Sequence, residues 1–299
     1  MVLICNAGAG GGGAGRALAE VRRHLDEREL EHEIHFTERS GHATELARAA
    51  LAEGTRFLVA VGGDGTVHEV VNGMITDDRA AHADAVFGVV AAGTGCDFIR
   101  TFGIPAMAGH AVAHLDGGDS FPIDIGKITF TRDGALDVRY FANIAEAGLG
   151  AEVAARAGRL PRWFGPTTYV FALWLALARH RPTEAIVDLV DRKYEGALNN
   201  LIVANGQFYG GGMKIAPKAA PTDGILDFLI DRTSRREALA LLPKVFKGEH
   251  LPHPRVTLSK RVRGSIETDR PLRIEADGEL LGHTPATFEL LPNALSLKV

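Results

Sequence analysis

The sequence predicts an α/β nucleotide-binding domain of the doubly wound, Rossmann-like kind, followed by a second domain that is a β-rich antiparallel sandwich. Three observations lead to this prediction. Short apolar runs alternate with helical patterns over residues 1–118, which is typical of a parallel sheet covered by helices. Glycine clusters follow several of those runs. After Gly118 the candidate strands lie close together and are separated by turn pairs such as Asp133-Gly134, which favours antiparallel pairing.

The first domain, residues 1–118, is predicted to contain four parallel strands, each followed by helical sequence. Glycines lie at the ends of several predicted helices, because glycine readily adopts the backbone conformation that ends a helix. The predicted strands are 2–5, 33–37, 57–61 and 86–91, and the predicted helices are 14–30, 42–53, 67–73, a short one from 97, and 106–115.

The second domain, residues 119–299, is predicted to be mostly strands, with its last strands able to return to the first domain. One helix covers about 167–179. Another begins at Ser234, where Glu237 three residues later completes a capping box. The predicted strands are 122–131, 138–142, 185–190, 198–204, 225–230, 256–258, 262–266, 272–276 and 286–290.

Composition excludes several classes of protein. The 299 residues carry 33 Lys and Arg against 37 Asp and Glu, so no basic face for nucleic acid is expected. Two cysteines cannot build a disulfide framework, which favours a reducing, cytoplasmic compartment. The longest apolar run, 169–178, is half of what a membrane span requires, so we expect no transmembrane segment. The sequence leaves the oligomeric state open, including a homo-oligomer.

Two glycine loops predict a phosphate site. The segment GGDGT at 62–66 lies between a buried strand and a helix, and GTGCD at 93–97 repeats this arrangement after the next strand. Backbone amides at a helix N-terminus favour an anion, and glycine lets a phosphate approach closely. Asp64 then points to a cation or to proton handling, with simple helix capping as the alternative. The glycines of 8–15 fit either a dinucleotide loop or a flexible turn.

Acidic residues recur in the second domain. Asp277 and Glu279 flank Gly278, and in an extended chain their side chains share one face. Such a pair can share a metal or accept a hydroxyl proton, whereas the alternative is a plain hairpin turn. The segment from Asp223 to Asp227 is either a turn entering a strand or a set of oxygen ligands for a hard cation.

Five segments, taken in order, resemble the diacylglycerol kinase catalytic-domain family, which includes bacterial lipid kinases and sphingosine kinases and is distantly related to NAD kinases. They cover essentially the whole chain. The segments are VGGDGTVHEVVNG (61–73), GVVAAGTGCDFIRTFGIP (88–105), FANIAEAGLGAEV (141–153), VANGQFYGGGMKIAPKAAPTDGILDFLI (203–230) and ADGE (276–279).

The resemblance implies an ATP- and Mg²⁺-dependent kinase that phosphorylates a hydroxyl of a lipid such as diacylglycerol. It implies that Glu279, with Asp277 beside it, is the proton acceptor and that Asp64 takes part in catalysis. A structural Mg²⁺ is implied at the Asp223 carboxylate and the carbonyls of Ala220 and Ile225. The implied ATP contacts are Asn6, Thr37, Gly62, Gly63, Asp64, Gly65, Thr66, Val67, His68 and Thr94.

Two departures from the family pattern bear on activity. Asn6 is followed by Ala7 where the family has proline, and Cys96 stands where it has asparagine, so a hydrogen bond near the phosphates is expected to be missing. The alternatives are therefore an NAD kinase-like ribose kinase and a non-catalytic nucleotide- or lipid-binding homologue. For the lipid kinase we expect a cytoplasmic protein whose substrate is presented at the inner membrane surface.

Overall fold

The computed structural model of the chain describes residues 1–6, 13–92, 96–106, 108–158 and 168–299. Contacts among them divide the chain into two compact units. The first unit contains Met1–Ile125 and Leu291–Val299, and the second contains Gly126–Leu290. The chain therefore leaves the first unit, builds the second and returns to the first.

The first half of the chain alternates strands and helices. Its helices are α1 (Gly13–Glu27), α2 (His42–Ala52), α3 (Asp64–Met74), α4 (Asp97–Phe102) and α5 (Ala108–Ala113). Its strands are β1 (Val2–Cys5), β2 (Glu33–Phe36), β3 (Phe57–Gly62), β4 (Ile75–Thr76), β5 (Arg79–Ala80) and β6 (Val86–Ala91).

The rest of the chain is mainly strands. Its helices are α6 (Leu149–Ala157), α7 (Thr168–Arg179) and α8 (Arg235–Lys247). Its strands are β7 (Ser120–Arg132), β8 (Ala135–Phe141), β9 (Ile144–Gly148), β10 (Thr183–Asp188), β11 (Lys193–Leu198), β12 (Asn200–Ala204), β13 (Leu226–Asp231), β14 (Val256–Arg261), β15 (Arg263–Thr268), β16 (Arg273–Ala276) and β17 (Glu279–Lys298).

A parallel sheet forms the centre of the first unit. Its strand order is β2, β1, β3, β6 and the end of β17. Leu3 and Val59 pack with Val21 of α1 on one face, while the alternate residues Ile4 and Leu58 are also fully buried. The sheet is therefore covered on both faces. Because β2 and β3 flank β1 on opposite sides, the carboxyl ends of these strands form the edge where ligands bind in such sheets.

Antiparallel strands build the second unit. One series has the order β14, β13, β12, β9, β16, and another joins β11, β10, β15 and β17. Apolar side chains from both series form one core that includes Val187, Phe228, Ile266, Ile274 and Phe288. Alternation along each strand places these residues on the inner faces of a sandwich.

The predicted fold class is confirmed, and the differences are local. The capping box at Ser234 is present, with both of its hydrogen bonds. Strand β9 and helix α6 are not among the predicted elements, and the predicted strands LLGH (280–283) and 286–290 are parts of one much longer strand, β17. The predicted strand 198–204 is divided between β11 and β12. The two units divide inside β7, whereas the predicted domain boundary follows Gly118.

Candidate active site

Three predicted nucleotide contacts lie at the carboxyl edge of the first unit's sheet. Asn6 follows β1, and its amide donates to the Val61 carbonyl of β3 at 3.2 Å. Thr37 follows β2, and its amide donates to the Cys5 carbonyl at 2.9 Å. Gly62 ends β3. Pairing of neighbouring parallel strands thus brings these three residues to one edge.

Two further predicted elements at this edge cannot be described in the same way. Thr94 lies outside the described residues, as does the part of the first glycine cluster at 7–12. The flanking residue Ala92 is described, and its amide donates to the Gly62 carbonyl at 3.0 Å. The chain therefore enters the 93–95 segment directly beside the end of β3.

The turn from Gly62 into α3 has no room for a side chain. A Cβ at Gly62 would overlap the Thr66 hydroxyl. The amides of Thr66 and Val67 donate to the Gly63 carbonyl at 3.0 and 3.1 Å, which closes the first turn of the helix. The N-terminus of α3, with Gly63, Asp64 and Gly65, therefore lies at the sheet edge, where its amides favour a negative charge.

Other predicted contacts have buried side chains. Thr66, Val67 and His68 are 5%, 1% and 5% exposed. The Asn72 side-chain amide donates to the His68 carbonyl at 2.8 Å and lies 3.5 Å from its ring nitrogen Nε2. These three residues would meet a ligand at this edge mainly through the backbone of α3.

The Asp64 carboxylate caps a neighbouring helix. Its Oδ2 accepts the Asp97 amide and its Oδ1 accepts the Phe98 amide, each at 3.0 Å, and these are the first two residues of α4. The Cys96 thiol hydrogen-bonds to the same carboxylate. Burial and the Asp64 charge raise the pKa of Cys96 well above its ordinary value, so Cys96 remains a neutral thiol. Asp64 thus fixes the start of α4 and interacts with Cys96 directly before it.

Glu69 on α3 acts in the same way towards α2. Its two carboxylate oxygens accept the Gly41 and Ala43 amides at 2.8 and 2.9 Å. The Thr44 hydroxyl donates to the Glu69 carbonyl at 2.8 Å. One helix therefore holds the starts of two others through carboxylates, which supply the partners that N-terminal helix amides lack.

The Asp277 carboxylate is buried and accepts hydrogen bonds from backbone amides of the second unit. It is 7% exposed and has a positive φ of 51°. Its Oδ1 accepts the amides of Asn143 and Ile144 at 2.9 and 3.1 Å, and its Oδ2 accepts that of Ala142 at 2.9 Å. This carboxylate holds together the connection between β8 and β9, which is a structural task.

Glu279 differs sharply from Asp277. It begins β17 and is half-buried. Its carboxylate makes no hydrogen bond or ion pair with the residues that the structure describes. Of the two acidic residues in the turn, Glu279 is therefore the one available to accept a proton.

Three acidic residues near these turns are not among the predicted site residues. Glu146 of β9 and Glu275 of β16 are opposite each other in the sheet and are 1% and 5% exposed. Asp97 of α4 is 3% exposed, with Arg100 Nε 3.2 Å from its Oδ1. Glu146 lies within the quoted segment 141–153 and Glu275 directly precedes the quoted ADGE, so a charged residue inside an apolar run is the signal that could have revealed them.

The predicted structural metal site contains a cation already. Lys260 Nζ lies 3.2 Å from Asp223 Oδ2 and 3.2 Å from Asp227 Oδ1, and donates to the Lys218 carbonyl at 3.4 Å. The contacts with Asp227 and Asp223 raise the pKa of Lys260 although partial burial opposes this. Burial raises the pKa of Asp227, which Lys260 partly offsets.

Two of the three ligands predicted for Mg²⁺, the Ala220 carbonyl and the Asp223 carboxylate, accept other hydrogen bonds. The Ala220 carbonyl accepts the Thr222 and Asp223 amides at 2.7 and 3.2 Å, and Asp223 Oδ1 accepts the Ile225 amide at 3.2 Å. A carboxylate and two carbonyls suit Mg²⁺ chemically, but a divalent cation beside the Lys260 ammonium would be repelled. The loop as it stands does not fit a structural Mg²⁺.

Comparison with known proteins places these features in a family. Residues 1–128 match the family model described as the diacylglycerol kinase catalytic domain. Residues 143–299 match the model described as the YegS C-terminal NAD kinase beta sandwich-like domain. Together the two models cover most of the chain.

Curated relatives match most of the chain. A diacylglycerol kinase of Mycobacterium tuberculosis is 32% identical over 262 residues, covering 85% of this chain and 80% of the relative. A diacylglycerol kinase of Bacillus subtilis is 28% identical over 274 residues, covering 91% of this chain and 86% of the relative.

Solved structures share the fold. A diacylglycerol kinase from Bacillus anthracis has a TM-score of 0.73 at 22% identity, covering 99% of this chain and 95% of that one. Yeast NADH kinase has a TM-score of 0.50 at 10% identity, covering 99% and 81%. The chain belongs to the diacylglycerol kinase family, whose members are phosphotransferases that act on an alcohol group of a lipid.

Proposed function

We propose that this chain transfers the γ-phosphoryl group of ATP, with Mg²⁺, to a hydroxyl of a lipid such as diacylglycerol. Family membership supports a kinase. The observation that carries the proposal is the different engagement of the two acidic residues in the turn, since Asp277 is held by three amides and Glu279 by none of the described groups. A base that is half-buried and unengaged suits proton transfer.

The residues that would bind the phosphates of ATP belong to the first unit. Asn6, Thr37 and the start of α3 at Gly62 to Gly65 lie at the carboxyl edge of the sheet, where helix amides offset the charge of phosphate oxygens. Asp64 and Asp97 are the acidic residues of this edge whose oxygens suit Mg²⁺, and each would exchange a present partner, an α4 amide or Arg100, for the ion. When bound, Mg²⁺ neutralises the charge that develops on the phosphates.

The base that would take the proton of the lipid hydroxyl belongs to the second unit. The lipid oxygen attacks the γ-phosphorus, the bond from that phosphorus to the β–γ bridging oxygen breaks, and ADP leaves. The hydroxyl proton passes to the Glu279 carboxylate. Asp277 fixes the turn from which Glu279 projects, so it acts as a positioning residue.

Helix α7 supports presentation of the lipid at the inner face of a membrane. Phe171 and Trp174 are 42% and 56% exposed on this helix. Next to its end, a cavity of about 180 Å³ is rich in cationic side chains that would face anionic headgroups. The arginines lining it are Arg156, Arg179, Arg181, Arg270 and Arg273. Among the described residues no helix is both long and apolar enough to span a bilayer.

The test is transfer of label from γ-labelled ATP to diacylglycerol in anionic vesicles, with and without Mg²⁺. We expect labelled phosphatidic acid from the wild type, and a kcat at least about 100-fold lower for Glu279→Gln because the general base is lost. The exposed Glu267 on β15 provides the control variant Glu267→Gln, which should match the wild type.

Parallel reactions distinguish the alternatives. Label transfer to NAD instead of lipid would indicate a ribose kinase. Calorimetric binding of ATP without transfer to any lipid of a total extract would indicate a non-catalytic homologue. Near-normal turnover by folded Glu279→Gln would refute the assignment of the base.

A further inference from the structure

A continuous chain of polar contacts runs through the sheet of the second unit to the turn that carries Glu279. The Gly150 amide of α6 donates to Asn200 Oδ1 at 3.4 Å, and Asn200 Nδ2 donates to Glu146 Oε2 at 2.8 Å. Glu146 lies opposite Glu275 on the adjacent strand, where the two buried carboxyl groups interact. The Glu275 Oε1 in turn accepts the amide of Gly278. The chain thus connects four elements of the fold to the residue directly before Glu279.

The contact between the two carboxyl groups requires a proton. Glu146 and Glu275 are opposite each other on adjacent antiparallel strands, and both are almost fully buried. Two ionised carboxylates cannot hydrogen-bond to each other, and their repulsion is strong away from water. Gly150 is closely packed on the Glu146 carboxylate, because a Cβ at Gly150 would overlap it. The carboxylates therefore have no room to separate on that side.

The direction of the pKa shifts agrees with this geometry. Burial raises the pKa of Glu146. Burial and the Glu146 charge raise the pKa of Glu275 well above its ordinary value. The pair therefore retains one proton, and Glu146 Oε2 also accepts from Asn200.

No described cation neutralises the pair. Tyr209 is close enough that burial and the charges of Glu146 and Glu275 raise its pKa well above the ordinary value. Asp277 adds negative charge beside Glu275. On α6, the charged residues Glu152 and Arg156 pair with each other at 2.6 Å. Glu152 also pairs with Arg273 of β16 at 2.8 Å. A proton is therefore what relieves the repulsion.

We propose that Glu146 and Glu275 share one proton, and that this shared proton holds the Gly278 turn in the position from which Glu279 acts. Both are positioning residues, since neither carries the reacting proton. The positioning role rests on the proposed kinase function, whereas the shared proton does not. Loss of the proton at alkaline pH would leave two buried negative charges and displace the turn.

The first experiment tests the proton without any assay of activity. A raised pKa in the folded state means that the folded protein binds more protons than the unfolded one, so this contribution to stability falls as pH rises above the ordinary value of 4.5. Glu275→Gln keeps an amide donor for Glu146 and an oxygen for Gly278. We therefore expect the Tm of the wild type to fall, relative to that of Glu275→Gln, as the pH rises above the ordinary carboxyl range.

Two controls accompany these melts. Glu146→Gln should also flatten the pH dependence, while Glu267→Gln on the exposed side of β15 should run parallel to the wild type. The infrared C=O stretch of a protonated carboxyl should persist in the wild type at neutral pH and be lost in Glu275→Gln. Parallel melting curves for the wild type and Glu275→Gln, with no such band, would overturn the proposal.

The second experiment tests positioning. In the lipid phosphorylation assay, kcat of the wild type should fall on the alkaline side, and Glu275→Gln should lose this fall while staying within about threefold of the wild type at neutral pH. Glu275→Ala should lower kcat by about 10- to 100-fold with little change in KM, since small displacements of a catalytic group are costly. An unchanged alkaline fall in Glu275→Gln would refute positioning even if the melts support the shared proton. Failure of the kinase assay in the wild type would leave the melts as an independent result.

Discussion

At the scale of single residues, carboxylates that look alike in the sequence have different tasks in the fold. The sequence predicts chemistry for Asp64 and Asp277 because each lies in a glycine turn. In the structure each accepts backbone amides from a distant segment, α4 for Asp64 and the β8–β9 connection for Asp277. Such partners are 33 and more than 130 positions away along the chain. No local pattern reveals them, so these contacts could not be predicted.

A comparison of Asp277→Asn with Glu279→Gln separates structure from chemistry in this turn. Asparagine offers one acceptor oxygen where the carboxylate accepts three amides, so we expect Asp277→Asn to lower the free energy of unfolding by about 2–4 kcal/mol. Glu279→Gln should change it by less than about 0.5 kcal/mol because it removes no described contact. Urea unfolding measures both values. Equal destabilisation by the two variants would contradict the assignment.

At the scale of helices and strands, features set by residues close in sequence could be predicted, and features set by distant partners could not. The capping box of α8 depends on residues three apart and was predicted from the sequence. Strand β9 is not predicted because Glu146 interrupts its apolar pattern, and the partners that surround this buried residue, Glu275 and Asn200, lie far along the chain. The metal loop was predicted by resemblance, and the ammonium that contacts it comes from β14, far along the chain.

The Asp223 loop gives a prediction that belongs to this scale. Wild-type Tm should not change on addition of EDTA, because Lys260 supplies the positive charge between Asp223 and Asp227. Lys260→Met leaves the buried Asp227 without that cation, which should cost about 3 kcal/mol. Mg²⁺ or Ca²⁺ should restore part of the lost stability to this variant only. Lys247→Met on α8 is the matched control, and a loss of wild-type stability in EDTA would contradict the reading of the loop.

At the scale of the whole molecule, the first unit depends on residues from the far end of the numbering. Residues 291–299 belong to it, and Ser296 lies beside Val86 as a parallel partner of β6. Lys298 Nζ donates to the carbonyls of Gly117 and Asp119 at 3.1 and 3.0 Å. The sequence predicts this return only in outline, because no local sequence pattern identifies the pairing partner of a strand two hundred positions away.

Removal of residues 291–299 should therefore damage the first unit. We expect faster amide hydrogen exchange in β6 and β3, because β6 loses its neighbour and becomes an edge strand. Strands β12 and β13 should keep their protection, since they pair within the second unit. Hydrogen exchange with mass spectrometry measures this, and uniform protection across β6 and β3 after truncation would contradict it.

The return of β17 to the first sheet also has a consequence for biosynthesis. A ribosome makes residues 1–125 first, yet their sheet cannot be closed until 291–299 have left the exit tunnel, after every residue of the intervening sandwich. Nascent chains that stall before that point present β6 as an open strand. Chaperones and proteases could thereby recognise chains interrupted before residue 291 by the unpaired edge of β6.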